Sequence, residues 1–564
     1  MKIGIKKTSI FFISLLILNG CALNNMSSKY DTATFNTTPP TLQVHAGKVA
    51  LKLDAKFPEK YFAKKAIVDF TPVLVYQEGE KAFKTIKVQG EEAEGGEATV
   101  FYATGGGFSY QDAIDYNDEM LNSKLELRAV AKIQQTEKSI MQDEEKILGP
   151  ITIGNGVIAT SQRVQDTEIP AIADHGYEKE TVLSSTATIY FLVNQSTIRT
   201  TEKSDDDIKD LKKFIEQGFD LHSVEIKSYA SPEGTIDAND DVSERRMQTT
   251  VSYAKWLLKK VGLEGLENKD LFTETSFGED WDGFNELMRS SNIKDKRRIT
   301  KIVNSVEDLE KREQQIRDMA ELYDAIKKDV LPQLRKAEIT VRLYEPKKTD
   351  QEIALLSISP DLKKDQLTNE ELLYAALLTD DKEVKKQIYT KSMELHNENK
   401  ARTNIGCLYL EDAISIDDYE NALSYFGDSD EDQVNKGIVE AWKGNLSKAQ
   451  SLYDRGNASE HNQAILNIRK GDYKKASRFF KNKTSHNAVL AKLLNGDNSS
   501  YCDEATAACY YLNAIVSARS NNEIQLIRNL ETAIRMNPGY KDQALSDLEF
   551  INFREVEGFK SLVQ

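Results

Sequence analysis

Through residues 42–175 apolar and polar positions alternate. In VALKLDAKF the apolar set includes Val49, Leu51 and Leu53; in LELRAVAKI it is Leu125, Leu127, Ala129, Ala131 and Ile133. VDFTPVLVY and TIKVQG add two more such runs. A period of two puts alternate side chains on one face of a strand. EGGE, TGGG and LGPITIGNG separate the runs with turn residues. The pattern predicts an antiparallel β-sandwich over 42–175. Its carboxylates read as solvated strand faces and turns, and nothing in it points to chemistry.

From 180 to 346 the pattern changes. TATIYFLV, HSVEIKSYA, LFTETSF and EITVRLY (Ile339, Val341, Leu343) read as strands. A helix over 204–217 carries Ile208, Leu211 and Ile215 on one face. A second helix, from near Val242 to Lys260, aligns Met247, Val251, Ala254 and Leu258. Residues 282–332 form a charged helical insertion before the last strand. The order β-α-β-α-β, insertion, β predicts an α/β domain with helices on one sheet. Residues 347–367 read as a linker.

Residues 368–564 have helical periodicity almost throughout. DDYENALSYF, KGNLSKAQSLY and KGDYKKASRFF align without gaps. Their small residues Ala422, Ala449 and Ala476 stand 27 apart (449 − 422 and 476 − 449). Tyr419, Leu446 and Tyr473 keep the same period, as do Phe426, Tyr453 and Phe480. Ala533 lies five residues before Pro538 in ETAIRMNP. Internal repetition of this kind predicts a helical solenoid in which small residues let helices approach and aromatics fill the seam. The expected fold class is therefore multidomain: β-sandwich, α/β domain, α-helical solenoid.

The chain has 564 residues, 74 Lys and Arg, 90 Asp and Glu, and a formal net charge of −16. That argues against nucleic-acid binding and against a broad attraction to anionic headgroups, both of which need concentrated basic charge. Six histidines leave little material for metal sites. No nucleophile elbow, HExxH, phosphate loop or coherent acid pair is present, so no catalytic residue, cofactor or metal is assigned and no enzymatic activity is expected. FGEDWDGF reads as a capped helix start, and Trp442 as packing. Cys407, Cys502 and Cys509 read as small buried hydrophobes. Seven residues along one helix rise ~10 Å, so Cys502 and Cys509 can meet only if the chain breaks between them.

At the start, Lys2, Lys6 and Lys7 precede the apolar run IFFISLLIL, and LNGC ends at Cys21. The apolar run is too short to span a bilayer. LNGC resembles a bacterial lipobox. The resemblance implies removal of residues 1–20 and lipidation of Cys21, with the outer membrane as partner through the anchor. Residues 21–41 are polar and read as a tether. The start resembles that of a Bacteroidetes-type outer-membrane lipoprotein, but no acidic cluster of the kind that resembles a surface-export signal in that group follows the cysteine, so the body is expected in the periplasm.

Two further resemblances bear on function. The C-terminal segments, with Gly406 and Tyr409 in TNIGCLYL and with Tyr510, Ala514, Leu530, Ala533 and Pro538, resemble tetratricopeptide repeats. This implies a concave surface for peptides or proteins. The stretch SYASPEG followed by NDDVSERRM resembles the OmpA-like periplasmic domain, which binds peptidoglycan. The resemblance implies that Arg246 grips the carboxylate of a diaminopimelate in the stem peptide, with Tyr229, Ser231, Glu233 and Asn239 around it. The family's aspartate, which takes the ammonium group, aligns with Ser231. Glu233, Asp237, Asp240 and Asp241 stand near enough in sequence to replace it. The expected function is a non-enzymatic tether between outer membrane and peptidoglycan that recruits proteins through its repeats. The alternative is an accessory subunit of an outer-membrane β-barrel assembly or secretion machine, with weak or no peptidoglycan binding.

Overall fold

The structure is a computed structural model that describes residues 22–134, 145–413 and 415–564. The expected signal peptide and Cys21 lie outside the described residues. The chain is multidomain, with a β-rich N-terminal region of mixed sheets and a helical C-terminal region. It divides into two compact units: residues 22–174 with 397–564, and residues 175–396. No helix among the described residues is long and apolar enough to cross a membrane.

In the first unit, eleven strands form two sheets. The strands are β1 (Thr34–Thr37), β2 (Leu42–His45), β3 (Lys48–Phe57), β4 (Ala66–Tyr76), β5 (Gly79–Ala82), β6 (Ile86–Gly90), β7 (Ala98–Val100), β8 (Gly106–Asp115), β9 (Lys124–Ile133), β10 (Glu145–Asn155) and β11 (Val157–Ile158). One sheet runs β1-β3-β2-β11 with β8 also on β3; the other runs β10-β9-β4-β6-β7 with β5 on β4. The alternation read from sequence decides which side chains turn inward. Val49, Leu51 and Leu53 of β3 share one core with Leu125, Leu127, Ala129 and Ala131 of β9. The sheets are not wholly antiparallel as expected, because β11 joins β2 and β7 joins β6 in parallel. The expected tether also differs. Residues 22–28 are helical, β1 follows, and Leu23, Met26 and Tyr30 are buried in the sheet core. Three apolar side chains suffice to dock this polar stretch.

The same unit contains the C-terminal helices. Asn399–Glu411 pairs with Ile416–Leu423, Asp430–Trp442 with Leu446–Gly456, Glu460–Arg469 with Tyr473–Phe479, and Ala507–Arg519 with Glu523–Met536. Ala422, Ala449, Ala476 and Ala533 have no exposed surface. Their partners across the seam are equally constrained: a Cβ on Gly406 would stand 2.4 Å from the Phe426 ring, and one on Gly437 2.5 Å from Tyr453. Pro538 follows the helix ending at Met536 and precedes Gly539–Ser546, where its missing N–H costs nothing. The chain does break between Cys502 and Cys509. The helix starts only at Ala507, the Thr506 side chain caps it by accepting from the Cys509 N–H at 3.2 Å, and the two Cα atoms lie 5.5 Å apart. The cysteines are disulfide-bonded rather than separate thiols.

The second unit has one four-stranded sheet: β12 (Val182–Tyr190), β13 (Leu221–Ala230), β14 (Phe272–Glu279) and β15 (Lys336–Tyr344), in the order β12-β15-β13-β14. β13 and β14 are parallel and the other pairs antiparallel. Val224 and Ile226 pack with Ile339, Val341 and the helix residues Leu211, Ile215, Val251, Ala254 and Leu258. The insertion has its own core around Phe284, Met288, Ile299 and Val303. The expected linker contains a helix, Asp350–Ile358, started by a capping box between Thr349 and Glu352. Helices through His396 belong to this unit, and the helices from Asn397 onward belong to the first.

Candidate functional site: a strapped groove and a buried arginine

Four asparagines, three in the first helices of successive hairpins and Asn487 in the helix His486–Leu494 that follows them, turn toward one extended segment of the same unit. Asn487 accepts from the Gln165 N–H at 2.9 Å and donates to its carbonyl at 2.8 Å. Asn462 makes the same pair with Ile169 at 2.8 and 2.9 Å, and Asn435 with Ala171 at 2.8 and 2.9 Å. Asn404 closes the series on Ala173 at 2.8 and 3.2 Å. A primary amide holds one acceptor and two donors, so it can satisfy both main-chain groups of a single extended residue. The contact reads backbone rather than side chain. Asn513 does the same to Cys502, at 2.8 and 2.9 Å.

Residues 164–174 thus form a strap along the helices. Side chains fasten it further. Glu168, with no exposed side-chain surface, accepts from Trp442 Nε1 at 2.9 Å and pairs with Arg469 Nε at 3.4 Å. Burial holds the Glu168 carboxyl above its ordinary range despite that guanidinium. Arg469 also pairs with Asp166, and His461 Nε2 contacts the Thr167 carbonyl at 2.7 Å. Just before the strap, Arg163 pairs with Asp547 at 2.8 Å and lies over the Tyr511 ring, while Thr160 bonds to Glu549. Ile169 and Ile172 remain 59% and 55% exposed. The expected open concave surface is therefore lined, along these helices, by the chain itself. Sequence reading passed over these asparagines, although Asn435 and Asn462 keep the 27-residue period (462 − 435). Trp442, read as packing, is also a strap ligand.

The second site lies where β13 ends and the helix Ile236–Lys260 begins. That helix starts six residues before the expected Val242 (242 − 236), capped by the Thr235 side chain on the Ala238 N–H. Asp237, Asp240 and Asp241 therefore occupy its first turns, where carboxylates complement the helix dipole. Arg245 forms an exposed pair with Asp241 at 2.9 Å. Arg246 is 1% exposed. Its Nε donates to the Gln195 carbonyl at 3.0 Å, Nη1 to Tyr229 at 2.8 Å and Nη2 to Leu192 at 3.2 Å, and its guanidinium lies over Phe191. Burial, with Arg335 nearby, pulls its pKa down to about 10.

The other candidates are also engaged within the chain. Ser231 Oγ donates to Glu233 Oε1 at 3.0 Å, and Arg335 Nε donates to the same oxygen at 2.9 Å. Arg317 holds the Glu233 carbonyl at 2.8 Å. Asn239 Nδ2 donates to Glu279 at 2.7 Å, and Tyr229 stacks on Phe277. Asp280 caps the helix Trp281–Ser290 through the Gly283 N–H at 2.7 Å, the capped start expected of FGEDWDGF. The five candidate residues do come together at one strand–helix junction. Main-chain carbonyls nonetheless take three of the five N–H donors of Arg246, and its 1% exposure leaves almost no surface for a carboxylate ligand. No protein-family model matches the chain, and no curated protein matches it.

Proposed function

We propose that the chain is a non-enzymatic, outer-membrane-anchored periplasmic lipoprotein that acts as an adaptor, an accessory subunit of an outer-membrane protein assembly or secretion complex. Its middle part is similar in strand and helix order to an OmpA-like domain, and its C-terminal hairpins to tetratricopeptide repeats. The observation that carries the adaptor reading over the wall-binding one is Arg246. The residue that the family resemblance assigns to the diaminopimelate carboxylate is buried and bound to three main-chain carbonyls. Pairing a buried guanidinium with its own backbone favours a structural role. The strap adds support, because a groove satisfied from within leaves outer faces as the recruiting surfaces.

Two measurements test it. Affinity purification of the tagged full chain from membranes is expected to recover an outer-membrane β-barrel protein in stoichiometric yield. Sedimentation with isolated sacculi is expected to leave the protein in the supernatant. Sedimentation that free diaminopimelate reverses overturns the adaptor reading in favour of a peptidoglycan tether.

A further inference from the structure

The helical insertion carries a charge pattern opposite to that of the whole chain. Between residues 285 and 304 stand six cations, Arg289, Lys294, Lys296, Arg297, Arg298 and Lys301, against two carboxylates, Glu286 and Asp295. The helix Lys296–Ser305 turns Ile299 and Val303 into the insertion core. Its other face, with Arg289, borders a hollow of about 400 Å³ lined by Arg289, Lys296, Arg297, Thr300, Lys301 and Asn304. No carboxylate lines it.

Lys296 Nζ is committed to shaping this hollow, donating to the carbonyls of Arg289 at 2.7 Å and Ser291 at 2.6 Å. Asn304 accepts from Asn285 Nδ2 at 3.1 Å through Oδ1, which leaves its own Nδ2 as a donor. Among the described residues, the side chains of Arg289, Arg297 and Lys301 have no hydrogen bond or ion pair. Three other arginines of the same unit are paired, Arg317 with Glu313, Arg335 with Glu233 and Arg342 with Glu225, whereas Arg298, on the same helix as Arg297, has no ion pair among the described residues. Arg297 and Lys301 also sit four residues apart on one helix, where like charges repel. Among the described residues no carboxylate pairs with either, and a bound anion would relieve that repulsion.

We propose that this hollow binds a phosphomonoester group, held by Arg289, Arg297 and Lys301 with Asn304 as a neutral donor. Three unpaired cations exceed what one carboxylate neutralises. A phosphomonoester carries close to two charges and three acceptor oxygens, and guanidinium forks match its geometry. The volume leaves room for part of the moiety that bears the phosphate. That moiety is either a membrane lipid headgroup or a soluble phosphorylated metabolite. The inference stands on local charge and is independent of the adaptor reading.

The test uses the full chain with Cys21→Ser, so that no acyl chain contributes. It is sedimented with vesicles of phosphatidylcholine alone or mixed with phosphatidic acid, and titrated with glycerol 3-phosphate. Sedimentation only with phosphatidic acid supports the site and assigns a lipid source. Binding of glycerol 3-phosphate without vesicle binding supports it and assigns a soluble source. In either case Arg297→Gln with Lys301→Gln is expected to weaken binding at least about tenfold, the equivalent of ~1.4 kcal/mol. Lys294→Gln with Arg298→Gln, which removes an equal charge outside the lining residues, is expected to change it less than about twofold, within the usual range of surface substitutions. Equal losses in both variants, or no binding to either probe, overturn the proposal.

Discussion

Glu168 and Arg469 are 301 residues apart in sequence and form one ion pair, in which the Glu168 side chain has no exposed surface. Removing one partner of a buried pair strands the other charge, at a cost of about 3–5 kcal/mol. Arg469→Met is therefore expected to destabilise the first unit by about that much in urea unfolding. Glu168→Gln, which keeps the Trp442 contact and removes the charge, is expected to cost less than half as much. Equal losses count against a buried charge at Glu168.

The asparagine clamps predict a local phenotype. Asn462→Ala leaves the N–H and carbonyl of Ile169 without their partners, a loss of roughly 1–3 kcal/mol. Asn462→Asp turns a donor into an acceptor facing the Ile169 carbonyl and is expected to cost more. Limited proteolysis is expected to cut both variants within residues 164–174 before the wild type. Unchanged cleavage there counts against the clamp.

Arg246→Ala is expected to destabilise the second unit by about 3 kcal/mol or more, since three buried carbonyls lose their donor. Arg246→Lys keeps a charge but not the fork and is expected to recover under half of that. A variant as stable as the wild type contradicts the buried geometry.

His486 sets an acid limit. It is 3% exposed, and burial, the leading cause, lowers its pKa from 6.5 to about 4. Between those values the unfolded chain binds a proton that the folded one refuses, so stability falls as pH drops from 6.5 to 4 and levels off below. At ~1.4 kcal/mol per unit the loss approaches roughly 3 kcal/mol. His486→Gln is expected to remove that part of the slope. Glu168, shifted upward, has the opposite sign: its contribution declines as pH rises above its ordinary 4.5. Comparison of the two single variants across this range separates the groups.

Quantitative thiol titration of the denatured, unreduced protein is expected to find Cys407 free and Cys502 and Cys509 unreactive. Reduction is expected to lower stability by about 2–4 kcal/mol, the usual range for such a link. Reactive thiols at 502 and 509 contradict the disulfide.

What sequence made legible is what depends on periodicity. Val49, Leu51 and Leu53 alternate because a sheet has two faces, and Ala422, Ala449 and Ala476 recur because a seam between helices needs a small residue. The strap shows no apolar period, since its asparagine clamps bind main-chain groups and only single side chains such as Glu168 are held. Its partners left a trace only in the repeated asparagines. Arg246 was found by motif, yet its burial depends on the carbonyls of Leu192 and Gln195, more than fifty residues earlier. The helix after 349 was readable from Thr349 and Glu352, three residues apart, and was overlooked. The disulfide needed the Thr506 cap, a single-residue signal.

The strap also orders assembly in time. Gln165 emerges 322 residues before Asn487, and a chain made from its N-terminus exposes residues 164–174 long before the last clamp arrives. Contacts so distant along the chain slow folding and prolong the lifetime of sticky intermediates. The two β-sheets share a core of their own and can close first, whereas the strap stays unclamped until nearly the whole polypeptide is present.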